Sequence, residues 1–469
     1  MKKITLLFSF LLFLGLGISK AQYTILHNFN DTSGSLPLGD LTLSGNLLYG
    51  MVSIGGVNDS GCIFSIDTNG NGYADIYDFG GSHGANPLGS LTLSGTILYG
   101  VTEDGGANGD GCIFSFNTIG NVYTDLFDFN GANGDNPQVC TLVLSGTTLY
   151  GMTWQGGAGF GNIFSFNTSG NIYTDLFDFN GANGKYPYGS LLLSGTTLYG
   201  MTWGGGVNNV GRLFSFNTIG NIYTNLHDFN IASGCYPEGS LILSGTTLYG
   251  MTENGGVNSA GCIFSFDTIG NLYTDIYDFN FTSGGGGSYG SFMLSGTTLY
   301  GMTENGGVNS DGVVFSFDTS GNTYTDLLNF DSANGKSPES SLIHSGSTLY
   351  GMTSEGGTKG IGVIFKFKDT AIHNTGVKSI HIASAQINVY PNPSNGIFNV
   401  VCHSEPSEVS LPIINVYNIL GQQVLTETLR STQGDNTVDL SYQPNGVYLY
   451  RVIATSGELI GEGKLIIQK

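Results

Sequence analysis

The 469-residue chain contains 75 glycines and 11 prolines, short of the combined share of roughly 25–30 percent that marks low-complexity or disordered chains. Aromatic residues make up 12 percent, and a disordered chain is poor in rings, so the composition describes a folded protein with many turns. Charged residues are 10 percent and the formal net charge is −21; between Tyr23 and Asp369 the bases are Lys185, Arg212, Lys336, Lys359, Lys366 and Lys368, which excludes the basic footprint that a nucleic acid requires.

Lys2 and Lys3 precede an apolar run from Ile4 to Ile18, which ends in Ser19-Lys20-Ala21. This is the pattern of a cleaved signal peptide over residues 1–21. The run is shorter than the roughly 20 residues a membrane span needs, and no other segment reads as a span.

From residue 22 the sequence repeats. Leu-Tyr-Gly recurs with its tyrosine at Tyr49, Tyr99, Tyr150, Tyr199, Tyr249, Tyr300 and Tyr350, and a period near 50 residues means a repeat architecture. In the second unit, four segments read as strands: Leu91–Leu93, Ile97–Thr102, Cys112–Phe116 and Tyr123–Phe129. Each is rich in β-branched, aromatic or other apolar residues and bounded by Gly, Asn or Ser. Four hairpin-linked strands in that length fit a propeller blade better than a β-solenoid, whose rungs are shorter.

The ends of the repeat region point the same way. Tyr23–Phe29 reads as a fourth strand without its first three, and the seventh unit ends at Ile364-Phe365-Lys366-Phe367 without a fourth. A ring would pair the two and leave no exposed sheet edge. The expectation is an all-β chain: a seven-bladed β-propeller over residues 22–368 closed by its N-terminal strand, a linker at 369–385, and a small antiparallel β-sandwich at 386–469.

Ser-Gly pairs such as Ser94-Gly95 mark tight hairpins, where Gly supplies positive φ. The Gly-Gly pairs, for instance at 105-106, open a longer loop between strands two and three. The glycine after each Leu-Tyr is expected to let backbones approach near the axis. Cys62, Cys112 and Cys262 share one repeat position, and with Cys140, Cys235 and Cys402 they show neither a disulfide framework nor metal-ligand spacing.

The motifs Leu-Tyr-Gly-Met-Thr-x-x-Gly-Gly and Gly-x-Ile-Phe-Ser-Phe-Asn resemble the bacterial GloVer (Gloeobacter/Verrucomicrobia) tandem repeat over roughly residues 30–368. The resemblance implies a secreted propeller-like repeat protein and brings no assigned activity or site.

Hairpin parity places the loop between strands two and three and the crossover to the next unit on one face, the natural place to bind something. There the residue after Met-Thr, or its equivalent, reads Ser53, Glu103, Trp154, Trp203, Glu253, Glu304 and Ser354. Trp stacks on sugar faces and carboxylates accept hydrogen bonds from hydroxyls, so Glu103, Trp154, Trp203, Glu253 and Glu304 are the candidate residues of a carbohydrate or peptide groove. The blander reading, preferred on sequence grounds, has the tryptophans covering the joins between blades and the glutamates solvated. No catalytic residue, cofactor or metal site is expected. Asp67-Thr68-Asn69-Gly70-Asn71-Gly72 with Asp75 and Asp78 fits a calcium-loop pattern, but the other units lack it, and it reads as a hairpin turn. The recurring Ser-x-Asp/Asn-Thr-x-Gly has one residue more than a sialidase Asp-box.

The C-terminal region carries Val389-Tyr390-Pro391-Asn392-Pro393-Ser394-Asn395-Gly396, Val416-Tyr417-Asn418-Ile419-Leu420-Gly421-Gln422, Pro444-Asn445-Gly446-Val447-Tyr448, and a last strand holding Lys464. Physically these are turns between short alternating strands. They resemble the type A C-terminal sorting domain of the Bacteroidetes type IX secretion system, on Pro391, Asn392, Pro393, Gly396, Tyr417, Gly421, Gly446, Tyr448 and Lys464. That resemblance implies passage through the periplasm, recognition by the outer-membrane translocon, and release or attachment at the cell surface. Sequence reasoning therefore leads to an exported binding module that contacts a glycan or surface protein, with a polysaccharide-degrading hydrolase or lyase as the alternative.

Overall fold

The structure is a computed structural model, and it describes residues 22–369 apart from 283 and 288, together with 387–402, 413–418, 423–429, 435–453 and 459–469. The chain divides into two compact units, Met1–Asn374 and Thr375–Lys469. The expected signal peptide, the linker from residue 370 on, and Gly421 lie outside the described residues.

The described part of the first unit is all-β, apart from one 3-10 turn at Ile231–Ser233. Its strands form antiparallel sheets, one to each repeat, most of them four-stranded. In the second repeat they are Thr92–Ser94, Ile97–Thr102, Cys112–Asn117 and Val122–Asp128, within one or two residues of expectation. The first hairpin turns through Gly95 at φ +62°, where a Cβ would meet nothing. There the glycine is required by conformation alone. The third strand is buried on both faces while the fourth is partly exposed, so burial falls outward along each sheet.

The glycine after Leu-Tyr has a different role from the expected one. Gly100 lies opposite Phe114 in the register, and a Cβ built on it would come within 2.5 Å of the Phe114 Cζ. The same holds in every repeat, with Cβ to Cζ separations of 2.4–2.7 Å. This glycine is a seat for a fully buried ring rather than a point of backbone approach. The close backbone approaches lie one step earlier, where a Cβ on Gly39 would stand 2.1 Å from the Gly89 carbonyl oxygen and one on Gly89 2.3 Å from that of Cys140.

Cores form between sheets. Met51, Ile63 and Phe79 pack with Leu91, Leu98, Phe114 and Phe116 of the next repeat; each phenylalanine removed from water contributes roughly 2–3 kcal/mol. A corresponding cluster joins Tyr350, Met352 and Ile364 of the seventh repeat to Leu41, Leu48 and Phe64 of the first.

The N-terminal strand Gln22–Asn28 pairs antiparallel with Val363–Lys368, with a register shift between Ile25 and His27. That shift recurs between third and fourth strands elsewhere, as at Ile113/Phe114. Tyr23 donates its hydroxyl hydrogen to the Asn334 carbonyl, just as Tyr73, Tyr173 and Tyr273 donate to Ser33, Asn133 and Ser233. Asn28 accepts from the Thr358 N–H at 2.9 Å, the bond that Asp78 makes to Val57 and Asp278 to Val257.

In the second unit, Ile387–Tyr390, Ile397–Cys402 and Asp435–Asp439 form one sheet, while Ile413–Asn418, Gln423–Thr428, Gly446–Ile453 and Leu459–Ile467 form another. Phe398, Val400 and Val438 of the first pack with Ile414, Val416, Tyr450 and Leu465 of the second, which makes a sandwich. Asn392 ties the Pro391–Pro393 turn to the last strand, donating to the Lys464 carbonyl at 2.7 Å and accepting from the Ile466 N–H at 2.9 Å. Gly396 has φ +112°, and a Cβ there would meet the Ser441 Cα at 2.6 Å. The Tyr448 hydroxyl closes its turn on the Pro444 carbonyl at 2.9 Å, Tyr417 is partly buried, and Lys464 is exposed.

Candidate functional site

The crossover into each repeat runs beside the loop between its second and third strands. Isolated bridges join Ser35 to Ile54, Ala85 to Asp104, Asp135 to Gln155, Cys235 to Asn254 and Lys336 to Glu355. The two long connections thus share one face, as hairpin parity requires.

On this face each residue that follows Met-Thr is held by its backbone. The N–H groups of Glu103, Trp154, Glu253, Glu304 and Ser354 donate to the carbonyls of Asn86, Asn136, Tyr236, Gly287 and Ser337 in the crossovers. The equivalent crossover residues of other repeats are left-handed too: φ is +54° at Leu36, which accepts from the Ser53 N–H, and +56° at Tyr186, as it is +54° at Tyr236. Bulky residues adopt this conformation only under strain, and such strain clusters at ligand sites.

Sequence reasoning missed a second set of equivalent positions just before the innermost strands, Leu38, Leu88, Gln138, Tyr188, Glu238, Tyr289 and Glu339, of which Leu88, Tyr188 and Glu238 stand between Pro and Gly-Ser. The recurrent Pro-x-Gly-Ser was the available signal. These positions interlock with the first set. Gln138 Nε2 donates to Glu103 Oε1 at 2.6 Å and Ser354 Oγ to Glu339 Oε1 at 2.8 Å, while Glu253 is near enough to Glu238 to raise its carboxyl. Trp154 stacks on Tyr186 with centroids 5.0 Å apart, meets Tyr188 edge-on at 5.5 Å, and lies 6.1 Å from Trp203. Trp203 stacks on Tyr236 at 4.6 Å. The tryptophans are therefore packed across neighbouring repeats, partly buried and partly open.

The electrostatics show that the two sets face one space. Glu103 of the second repeat and Glu339 of the seventh both act on Tyr188 of the fourth, whose hydroxyl burial and these acids push far up. Burial, then Glu253, Glu304 and Glu339, push the Glu238 carboxyl up to about 9. Burial and Glu339 push Glu304 up to about 7, and burial raises Glu103 and Glu339. The charged neighbours that raise Glu238, Tyr188 and Tyr289 are acids or another tyrosine, while Glu304 also interacts with a base, Lys336. Lys336, at the rim, is paired with Glu355 at 2.5 Å. Glu238 is 6% exposed, and its Oε2 has no hydrogen-bond partner.

Other candidates are structural. Asp67 accepts from the N–H groups of Asn69 and Asn71, both at 2.8 Å, as a hairpin turn does, and among the described residues no group of His, Cys, Asp or Glu is arranged to hold a metal ion. Cys62, Cys112, Cys140, Cys235 and Cys262 are free and buried. Two grooves of about 350 Å³, lined by Thr197, Tyr199 and Ser215 and by Thr148, Tyr150 and Ser165, lie at the other ends of the second strands. No helix among the described residues is long and apolar enough to cross a membrane.

The chain is similar in structure to an extracellular domain, described as part of a one-component system, from B. thetaiotaomicron: 13% identity, TM-score 0.53, covering 94% of this chain. This chain spans about half of that one, 53%. It also matches the β-propeller domain of the Trilobed protease from Pyrococcus furiosus, at 9% identity, TM-score 0.45, and 71% and 95% coverage. TolB from Acinetobacter baumannii matches at 12% identity, TM-score 0.37, and 57% and 59% coverage. At such identities the likeness concerns the fold alone. No curated protein matches in sequence. The Gloeobacter/Verrucomicrobia repeat matches residues 15–159, 95–260 and 220–394, and the secretion system C-terminal sorting domain matches residues 388–468, which implies export by the type IX route to the cell surface or extracellular space. The chain belongs to the Gloeobacter/Verrucomicrobia repeat family and ends in a secretion-system sorting domain.

Proposed function

We propose that residues 22–368 close into a seven-bladed β-propeller, and that the protein is an exported binding module that takes its ligand at the acidic, aromatic mouth formed by Glu103, Trp154, Trp203, Glu253 and Glu304 with Tyr188, Glu238, Tyr289 and Glu339. In this layout residues 1–21 are the signal peptide and 386–469 the sorting domain. Closure is supported by the pairing of Gln22–Asn28 with Val363–Lys368 and by the core shared between the first and seventh repeats.

Glu238 is the observation that carries the binding reading. A buried carboxyl oxygen with no hydrogen-bond partner costs stability, and polar groups kept at such a cost in a cleft mark ligand sites. A hydrolase reading draws on the same residue, since a carboxyl raised to about 9 can act as a proton donor.

A glycan array on the purified chain, alongside a Trp154→Ala/Trp203→Ala double variant, tests the mouth; equal binding by both proteins would place the ligand elsewhere. Incubation with a polysaccharide panel tests the alternative. Product release abolished by Glu103→Gln, Glu238→Gln, Glu253→Gln or Glu304→Gln would make the protein an enzyme.

A further inference from the structure

Resting on the mouth as the ligand site, the geometry points to a protonated amine carried on a sugar ring: an amino-sugar oligomer. Glu103, Glu238, Glu253, Glu304 and Glu339 act together on Tyr188 and Tyr289, and the base that reaches this group, Lys336 beside Glu304, is already paired with Glu355. Clefts lined by one sign of charge focus their field and concentrate the opposite charge.

Glu238 Oε2 lies buried within this group without a donor. An ammonium brings three donors and a positive charge, enough to bond Glu238 and two neighbouring carboxyls at once. A hydroxyl brings one donor and leaves the repulsion among the carboxyls in place. Tyr188, on which Glu238, Glu339 and Glu103 act, meets Trp154, which in turn lies 6.1 Å from Trp203, and aromatic faces suit both a sugar ring and a cation. A lysine side chain would satisfy the carboxyls but would offer no ring face to the partly open surfaces of the two tryptophans.

The proton that Glu238 holds leaves to solvent as an ammonium N–H takes its place. Binding therefore releases a proton and strengthens with rising pH while the amine stays charged. The titratable groups facing Glu238 are Glu253, Glu304, Glu339, Tyr188 and Tyr289.

Titration calorimetry of the purified chain at neutral pH, with a short β-1,4-linked glucosamine oligomer, its N-acetylated counterpart and trilysine, tests the proposal. The glucosamine oligomer should bind at least tenfold more tightly than the other two, with proton release read from buffers of different ionisation enthalpy. Glu238→Gln and Glu304→Gln should each weaken it at least tenfold. Equal binding of the acetylated oligomer would overturn the amine while leaving the mouth as the site, and equal binding of trilysine would overturn the sugar. Unchanged affinity in both variants would overturn this proposal and the mouth together. Absence of binding by every probe would overturn the amine ligand alone, the glycan array deciding the wider reading.

Discussion

Ser341 and Asp40, 301 residues apart in sequence, meet through a hydrogen bond: the Ser341 backbone N–H donates to Asp40 Oδ1 at 2.5 Å. It belongs to a relay in which Asp40, Thr141, Ser190, Ser240 and Ser291 donate from their N–H groups to the hydroxyls of Ser90, Ser190, Ser240, Ser291 and Ser341. Asp40 alone brings a carboxyl to this series, and burial raises its pKa. Asp40→Ala should leave the buried Ser341 N–H without a partner and cost about 1–3 kcal/mol. Asp40→Ser, which copies the other repeats, should cost less than half as much. Denaturant midpoints at constant m would show the difference, and equal losses would remove the relay from the account.

The pairing of Thr24 with Lys366 allows a direct test of closure. Directly opposed residues of an antiparallel pair have Cα atoms about 4.5–5.5 Å apart, within disulfide reach. A Thr24→Cys/Lys366→Cys variant should oxidise within a single chain and migrate faster on non-reducing gels. Cross-linking only between chains would open the ring.

Glu238 links the mouth to stability. Its folded pKa, about 9, lies above the ordinary 4.5, so the folded state holds a proton that the unfolded state loses. Stability is full below about pH 4.5 and declines as pH rises toward 9, by about 3 kcal/mol at pH 7. Glu238→Gln should raise the thermal midpoint at pH 8 by a few degrees and flatten its dependence between pH 5 and 8. A variant no more stable than the parent at pH 8 would contradict a buried, protonated Glu238.

His27 gives the opposite slope. It stacks on Tyr73 with centroids 3.8 Å apart, and burial lowers its pKa from 6.5 to about 4. Its contribution is present above pH 6.5 and lost as pH falls toward 4. Phe127 and Phe177 occupy the same place against Tyr173 and Tyr223. His27→Phe should therefore keep the stack and make stability less sensitive to acid across that window, as unfolding curves at pH 7, 5.5 and 4.5 would reveal.

Gly100→Ala and Gly95→Ala separate two uses of glycine. At Gly100 the added Cβ meets the Phe114 ring at 2.5 Å, and overpacking should cost about 1–3 kcal/mol. At Gly95 space is open and only φ +62° resists, so the loss should be about 1 kcal/mol. A reversed order in chemical denaturation would refute the ring-seat role.

Periodicity made the strands legible because every repeat places the same residue types at the same turns; Gly95, Phe114 and Tyr123 can be placed from their counterparts alone. The orphan strand Tyr23–Phe29 could be matched to the seventh unit for the same reason. The sorting motif was equally readable as a run of turn residues, although Asn392 and Gly396 act across the fold, on the last strand and against Ser441. Of the mouth, sequence alone determined the outer positions, Glu103, Trp154, Trp203, Glu253 and Glu304, as a varying column in a regular repeat. Only the tertiary structure decided that Tyr188, Glu238, Tyr289 and Glu339 stand beside them, because convergence across repeats depends on how the sheets are arranged and not on spacing along the chain. Burial was decided there too: Glu238 is an ordinary acid in the sequence, and becomes a neutral one with an unpartnered Oε2 because the crossovers of several repeats shut it away from water among other carboxyls.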